Sequence, residues 1–230
     1  MKRRLLWVLV SFGIGASLTW YFHTAIFLLL LAPAGEQLSP TGQPIFTGPT
    51  EMFSLTVNLT LKGGLITAFH VLAYNVYSLF RPLIDKQKRR TLLLFMWLIL
   101  FFYLAGTAFA YFVLLPNGLR FLLQFGTDIA VPMIRITEYM ELAMAMLFWL
   151  GIVFEIPVVM LLLAKLELVS HSQFKKVRRY VPIAALILGA IITPTFDPVN
   201  QALVAVPMIL LFEVGLFLVW LARPKPPKTV

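Results

Sequence analysis

The sequence predicts an all-α polytopic membrane protein of six transmembrane helices, and three observations carry the prediction. Hydrophobic residues make up 60% of the 230 positions and charged residues 13%, with a mean hydropathy of +0.89. Soluble globular domains do not have that balance. Apolar runs of about 18 residues or more recur along the chain, and a helix is the one single-segment structure that satisfies its own backbone in lipid. The basic residues are confined almost entirely to alternate connections between those runs.

In chain order, the runs span about residues 5–32, 57–80, 91–115, 139–164, 180–193 and 201–222. The whole chain, 1–230, reads as one six-helix transmembrane domain. The first run follows "MKRR", which has the form of a signal-peptide n-region, but it continues far beyond the roughly 7–15 apolar residues of a signal h-region. It reads as an uncleaved span. The fifth run rises only about 21 Å at 1.5 Å per residue, against a hydrocarbon core of about 30 Å. It must begin inside the basic segment before it, or the bilayer must thin there.

Lys2, Arg3 and Arg4, the group from Arg81 to Arg90, the group from Lys165 to Arg179, and Arg223, Lys225 and Lys228 together hold 16 of the 19 basic residues. Lys62, Arg120 and Arg135 fall on the opposite side. Cytoplasmic loops carry the excess of Lys and Arg, so both termini are expected in the cytoplasm. The net charge of +9 thus follows from topology and does not indicate nucleic acid. Absence of cysteine removes disulfides, thiolate metal sites and cysteine nucleophiles.

The sequence carries no nucleotide-binding or zinc-protease motif, and His23, His70 and His171 are scattered. No enzyme activity, metal or cofactor is expected. His23 and His70 read as satisfied polar groups facing neighbouring helices. The loop at residues 32–53 has four prolines and three glycines in 22 residues and reads as a turn-rich cap or a mobile loop. The piece from Leu119 to Phe125 is a short amphipathic segment long enough to lie on the membrane surface.

Glu155 interrupts "LGIVFEIPVVMLLL", and Glu213 interrupts "LLFEVGLF". An acid at mid-span costs about 2.5–3.5 kcal/mol on the insertion scale, so both should avoid lipid. At 100° per residue, Glu141 and Glu155 fall about 40° apart on one helix face, roughly 21 Å apart along it, which suggests a face bordering a wet groove. Pro157 and Pro207 should bend their helices and make concave walls. The alternative is that Glu155 and Glu213 bond neighbouring helices and hold the bundle together.

These residues carry a family resemblance. "FEIPVVMLLLAKLELVS" (154–170) and "RRYVPIAALILGAIITPTFDPVNQALVAVPMILLFEVG" (178–215) closely resemble TatC, the core membrane subunit of the twin-arginine protein translocase. "PTEMF" (49–53), "FRPL" (80–83) and "YFVLLPNGLRFLLQFG" (111–126) extend the resemblance upstream in the same order. It implies a glove-shaped six-helix bundle in a prokaryotic cytoplasmic membrane, with a thylakoid membrane the lesser alternative. Such a protein recognises twin-arginine signal peptides of folded precursors and assembles with TatA-type and TatB-type single-span subunits, as a homo- or hetero-oligomer. The proton-motive force drives export.

By the same resemblance, Glu155 matches the intramembrane glutamate of an F-E-x-P motif in the concave face, with Pro157 beside it. Asp197 matches an acid in an outer turn, and Glu213 matches the glutamate of an F-E-[IV]-G motif. These four would line the groove for partner helix and signal peptide.

The family's acidic N-terminal E-H-L-x-E-L-R-like segment and the acid of its E-R-R are not matched: Met1 falls where the first should end, and Lys88 precedes Arg89 and Arg90. The E-x-F-x-x-x-x-K pattern reads Glu51, Phe53 and Asn58. Guanidinium recognition needs carboxylates. On the cytoplasmic side that leaves Asp85 and Glu167, with Asp85 beside Arg89 and Arg90 the candidate. Two other readings remain: a divergent assembly subunit that reads no twin arginine, and a proton-coupled secondary transporter using Glu155 and Glu213.

Overall fold

The computed structural model describes residues 2–34, 45–80, 89–124, 134–192 and 198–222. Among them there is no strand, only one isolated bridge. Ten α-helices follow in order: α1 Lys2–Tyr21, α2 His23–Leu31, α3 Glu51–Phe80, α4 Arg89–Phe109, α5 Leu115–Gln124, α6 Ile136–Val153, α7 Ile156–Lys165, α8 His171–Val177, α9 Val181–Ile192 and α10 Pro198–Leu221. Among the described residues, five stretches are long and apolar enough to cross a membrane: Arg4–Tyr21, Glu51–Asn75, Phe95–Phe121, Ile136–Lys165 and Gln201–Leu221. Large apolar side chains such as Trp97, Phe101, Ile187 and Phe217 point outward. In water that surface would be costly; in lipid it is the ordinary exterior.

The first apolar run forms two helices with a bend at Phe22, whose φ of −97° and ψ of 12° leave the helical region. The backbone ladder persists across it, Phe22 N–H donating to Leu18 O and Ile26 N–H to Phe22 O, each at 3.0 Å. α1 lies against α3 at backbone range. A Cβ on Gly15 would stand 2.0 Å from Thr67 Oγ1, and one on Gly63 would stand 2.0 Å from Thr19 Oγ1. Small residues permit that approach, and in lipid close packing and interhelical hydrogen bonds replace the hydrophobic drive. Thr67 Oγ1 donates to Ser11 O at 2.9 Å, and Asn75 Nδ2 donates to Arg4 O at 3.3 Å.

α4 runs into a π-helical turn, Ala110–Leu114, and directly on into α5. The segment around Leu119 is therefore a continuation of the third helical stretch, not a separate piece joined by a loop. The fourth stretch is divided at Phe154 and Glu155. Glu155 N–H donates to Ile152 O at 3.0 Å, a tightened bond, and Pro157 has no N–H to return to Val153 O. The expected interruption at Pro157 is thus present, whereas α10 stays helical through Pro207.

α9 has 12 residues, too few to span. It follows without a gap from α8 and the 3-10 turn Arg178–Tyr180, so the helical path begins within the basic segment at His171. Ser170 caps α8 by a reciprocal pair of bonds with Gln173. On the other side of the bundle, Ile136 N–H donates to Ile45 O at 2.9 Å, joining the loop before α3 to the start of α6. The core gathers around α6, where Tyr139, Met140 and Leu150 are almost wholly enclosed.

Candidate functional site

Glu155 sits in the turn that Pro157 forces between α6 and α7, and only 5% of it is exposed. Neither carboxylate oxygen has a hydrogen-bond partner among the described residues. Its wall is α4: the Phe154 ring lies 5.6 Å from the Phe109 ring, and a Cβ on Gly106 would stand 2.6 Å from Leu150 O. Tyr103 presses on Gly151, where a Cβ would meet Tyr103 Cε2 at 2.5 Å. On the other flank α10 packs through Gly215, whose Cβ would stand 3.2 Å from Pro157 Cα. Pro157 is fully buried in this joint.

Glu213 lies elsewhere. Its Oε1 accepts from Arg178 Nε at 2.7 Å, and its side chain is 37% exposed. The structure therefore does not bring Glu155 and Glu213 into one carboxylate pair. Glu141 and Glu155 differ too, Glu141 being exposed and Glu155 buried, so a single wet face through both is not what the described residues form. Asp85 and Asp197 lie outside the described residues. Arg89 and Arg90 open α4, and their side chains lie outside the described set.

Three residues gain a place that their sequence context did not supply. Glu51 is buried at the head of α3 and accepts from Thr47 N–H at 2.7 Å, from Gly48 N–H at 3.2 Å and from the Thr137 hydroxyl, with Arg135 Nη2 at 3.6 Å. It clasps the outer loop to α6. Tyr103 and His70 face each other, ring centroids 4.7 Å apart. His70 is not the satisfied histidine expected: Nδ1 bonds Ile66 O of its own helix at 2.8 Å, and Nε2 is buried without a partner. His23 bonds locally, to Trp20 O at 2.7 Å. A mid-span tyrosine and histidine were the available signals, since polar groups at that depth are costly.

Residues 1–207 match the family model for TatC, the Sec-independent protein translocase protein. The chain belongs to the TatC family. A TatC of Koribacter versatilis is 32% identical over 228 residues, covering 98% of this chain and 84% of that one. The Aquifex aeolicus TatC is 33% identical over 228 residues, 98% and 93% of the two chains. A crystal structure of the twin-arginine translocase receptor TatC superposes with a TM-score of 0.83 at 30% identity, covering 96% of each chain. The all-helical membrane fold and the role in Sec-independent protein transport expected from the motifs are those of TatC, and a translocase subunit of this family is a transport component.

Proposed function

We propose that this chain is the receptor subunit of a twin-arginine translocase in a prokaryotic cytoplasmic membrane. It captures signal peptides of folded precursors at its basic, cytoplasmic face and docks TatA-type and TatB-type single-span subunits along its flank, with the proton-motive force driving export. Six spans with both termini cytoplasmic fit this reading. α9 becomes the fifth span when the helical path is counted from His171, and the 16 basic residues then share one side.

The observation that carries the reading is Glu155: a carboxylate enclosed at a helix break, with unused acceptor capacity, beside a proline that fixes the break. Such a group is tolerable in an apolar span only when something polar meets it during assembly or transport. Glu213 serves as a scaffold acid by its pair with Arg178, and Asp197 and Asp85 are candidates for the outer turn and the cytoplasmic recognition surface.

The test is photocrosslinking of an Arg-Arg precursor and a Lys-Lys control to inverted membranes containing the chain. Preferential crosslinking of the Arg-Arg form supports the reading; equal crosslinking overturns it. In the same membranes, Glu155→Ala should reduce crosslinks to the single-span subunits at unchanged protein level, with Glu155→Gln milder. A fall in protein level with crosslinks per molecule unchanged leaves Glu155 as scaffold.

A further inference from the structure

Three polar side chains from three elements meet inside the bundle and share one shortage. Tyr103 of α4 is 4% exposed, Glu155 occupies the α6–α7 turn, and His70 of α3 has a fully buried Nε2. The Tyr103 and His70 rings touch edge-on, and the Tyr103 hydroxyl lies within electrostatic reach of the Glu155 carboxylate. Tyr103 Oη, His70 Nε2 and both Glu155 oxygens lack hydrogen-bond partners among the described residues. Buried polar atoms are nearly always paired, so orphans gathered in one place point to something that binds there.

A count of donors identifies it. His70 Nδ1 lies 2.8 Å from Ile66 O, an atom that can only accept, so Nδ1 carries the ring proton and Nε2 of the neutral ring is a lone pair. An ionised Glu155 only accepts. Tyr103 has a single O–H to offer two acceptors on different elements. Among the described residues, no group lies within hydrogen-bond distance to supply the missing donor. The Thr107 hydroxyl donates to Tyr103 O at 3.0 Å, and α6 presents Gly151 to the ring. α10 faces the turn with Gly215 and commits Glu213 to Arg178. Lys165, further along α7, holds its ammonium 5.7 Å from the Phe95 ring centroid. Among the described residues, Tyr103 is thus the titratable group within reach of Glu155, and His70 is the one packed against the Tyr103 ring.

We propose that His70, Tyr103 and Glu155 form an internal binding site for one proton. When the proton is bound, the Glu155 carboxyl O–H donates to Tyr103 Oη, whose own O–H donates to His70 Nε2. When it is absent, the Tyr103 hydroxyl turns to the carboxylate and leaves the imidazole unpaired. Proton occupancy therefore ties α3, α4 and the α6–α7 turn together, and loss of the proton releases α3. The site goes beyond the receptor reading and does not depend on it.

The experiment is infrared difference spectroscopy of the purified full chain in lipid vesicles across a pH titration. The wild type should show a protonated-carboxyl C=O band, absent in Glu155→Gln, that disappears with the same midpoint as shifts in tyrosine and histidine ring modes. Tyr103→Phe keeps the ring against Gly151, and His70→Phe keeps a ring against Tyr103. Each should move that midpoint by about one pH unit or more, a tenfold change in proton affinity, with helix content by circular dichroism unchanged. If Glu155→Gln fails to insert, the Tyr103→Phe shift alone decides. Absence of a carboxyl band sensitive to Glu155, or a midpoint unmoved by both ring variants, overturns the proposal. Because the readout is the proton and not export, failure here and failure of the receptor reading are separate results.

Discussion

Arg178 Nε donates to Glu213 Oε1 at 2.7 Å, joining the start of the α9 path to α10 across 35 residues of chain. The two side chains are 58% and 37% exposed at the surface of the bundle. Exposed pairs are worth about 0.2–1 kcal/mol by double-mutant cycles. A cycle of Arg178→Gln and Glu213→Gln, read as unfolding free energy in detergent, should give a coupling within that range. A value of several kcal/mol would mean that the pair is sealed by lipid or by a partner.

Glu51 should matter more to the fold than either of those residues. It receives two backbone N–H groups and the Thr137 hydroxyl at the junction of the outer loop with α6. Glu51→Ala leaves all three donors without their acceptor. We expect it to lower the Tm in detergent by more than Thr137→Val, and to expose the loop before α3 to protease added from the outer side. Equal Tm losses for the two variants would remove Glu51 from the centre of the clasp.

The α1–α3 contact yields a packing prediction. Gly15→Ala places a methyl 2.0 Å from Thr67 Oγ1, and the rigid β-branched threonine has little room to turn away. Overpacking of this kind costs about 1–3 kcal/mol. Thr67→Ala in the same chain removes the two nearest clashing atoms and should recover part of the loss, although Thr67 Cβ, at 2.8 Å, remains. Full additivity of the two losses would place the helices farther apart than described.

What was legible in the sequence and what was not divide along physical lines. Apolar run length is a one-dimensional signal, and the long apolar helices follow from it. The break at Pro157 was legible because a missing N–H is a property of one residue. Partner choice was not: nothing near Glu213 in the chain says that its carboxylate meets Arg178 rather than a partner helix. Nor could spacing on an ideal helix give the different exposures of Glu141 and Glu155, because packing of α4 and α10 decides them. His70 and Tyr103 are 33 residues apart and become neighbours only when α3 and α4 fold together.

Topology offers an independent check on the charge argument. With 16 of 19 basic residues on one side, tags at both termini should be protected from protease added to right-side-out vesicles and digested in inverted ones. Digestion of either tag in sealed right-side-out vesicles would give an odd number of crossings or an inverted bundle. α9 would then be the first helix to re-examine, since its 12 residues reach across only with the path from His171.

The last prediction concerns Glu167, which has φ of 58° at the end of α7. Glu167 N–H donates to Ala164 O and Leu168 N–H to Leu163 O, each at 3.1 Å, the reciprocal pair of bonds that closes a helix in a Schellman motif. The residue after the C-cap must adopt the left-handed conformation there. A side chain with a Cβ pays about 1 kcal/mol for it, and glycine does not. Glu167 is also exposed, and among the described residues no ion pair holds its carboxylate. Among the described residues, nothing in its contacts offsets the strain. Glu167→Gly should therefore raise stability by roughly 0.5–1 kcal/mol, Glu167→Asn by less, and Glu167→Val should lower it, because β-branching at positive φ is worse still. Unfolding in detergent, followed by circular dichroism, reads all three. A loss of stability on Glu167→Gly would show that the carboxylate makes a contact worth more than the strain.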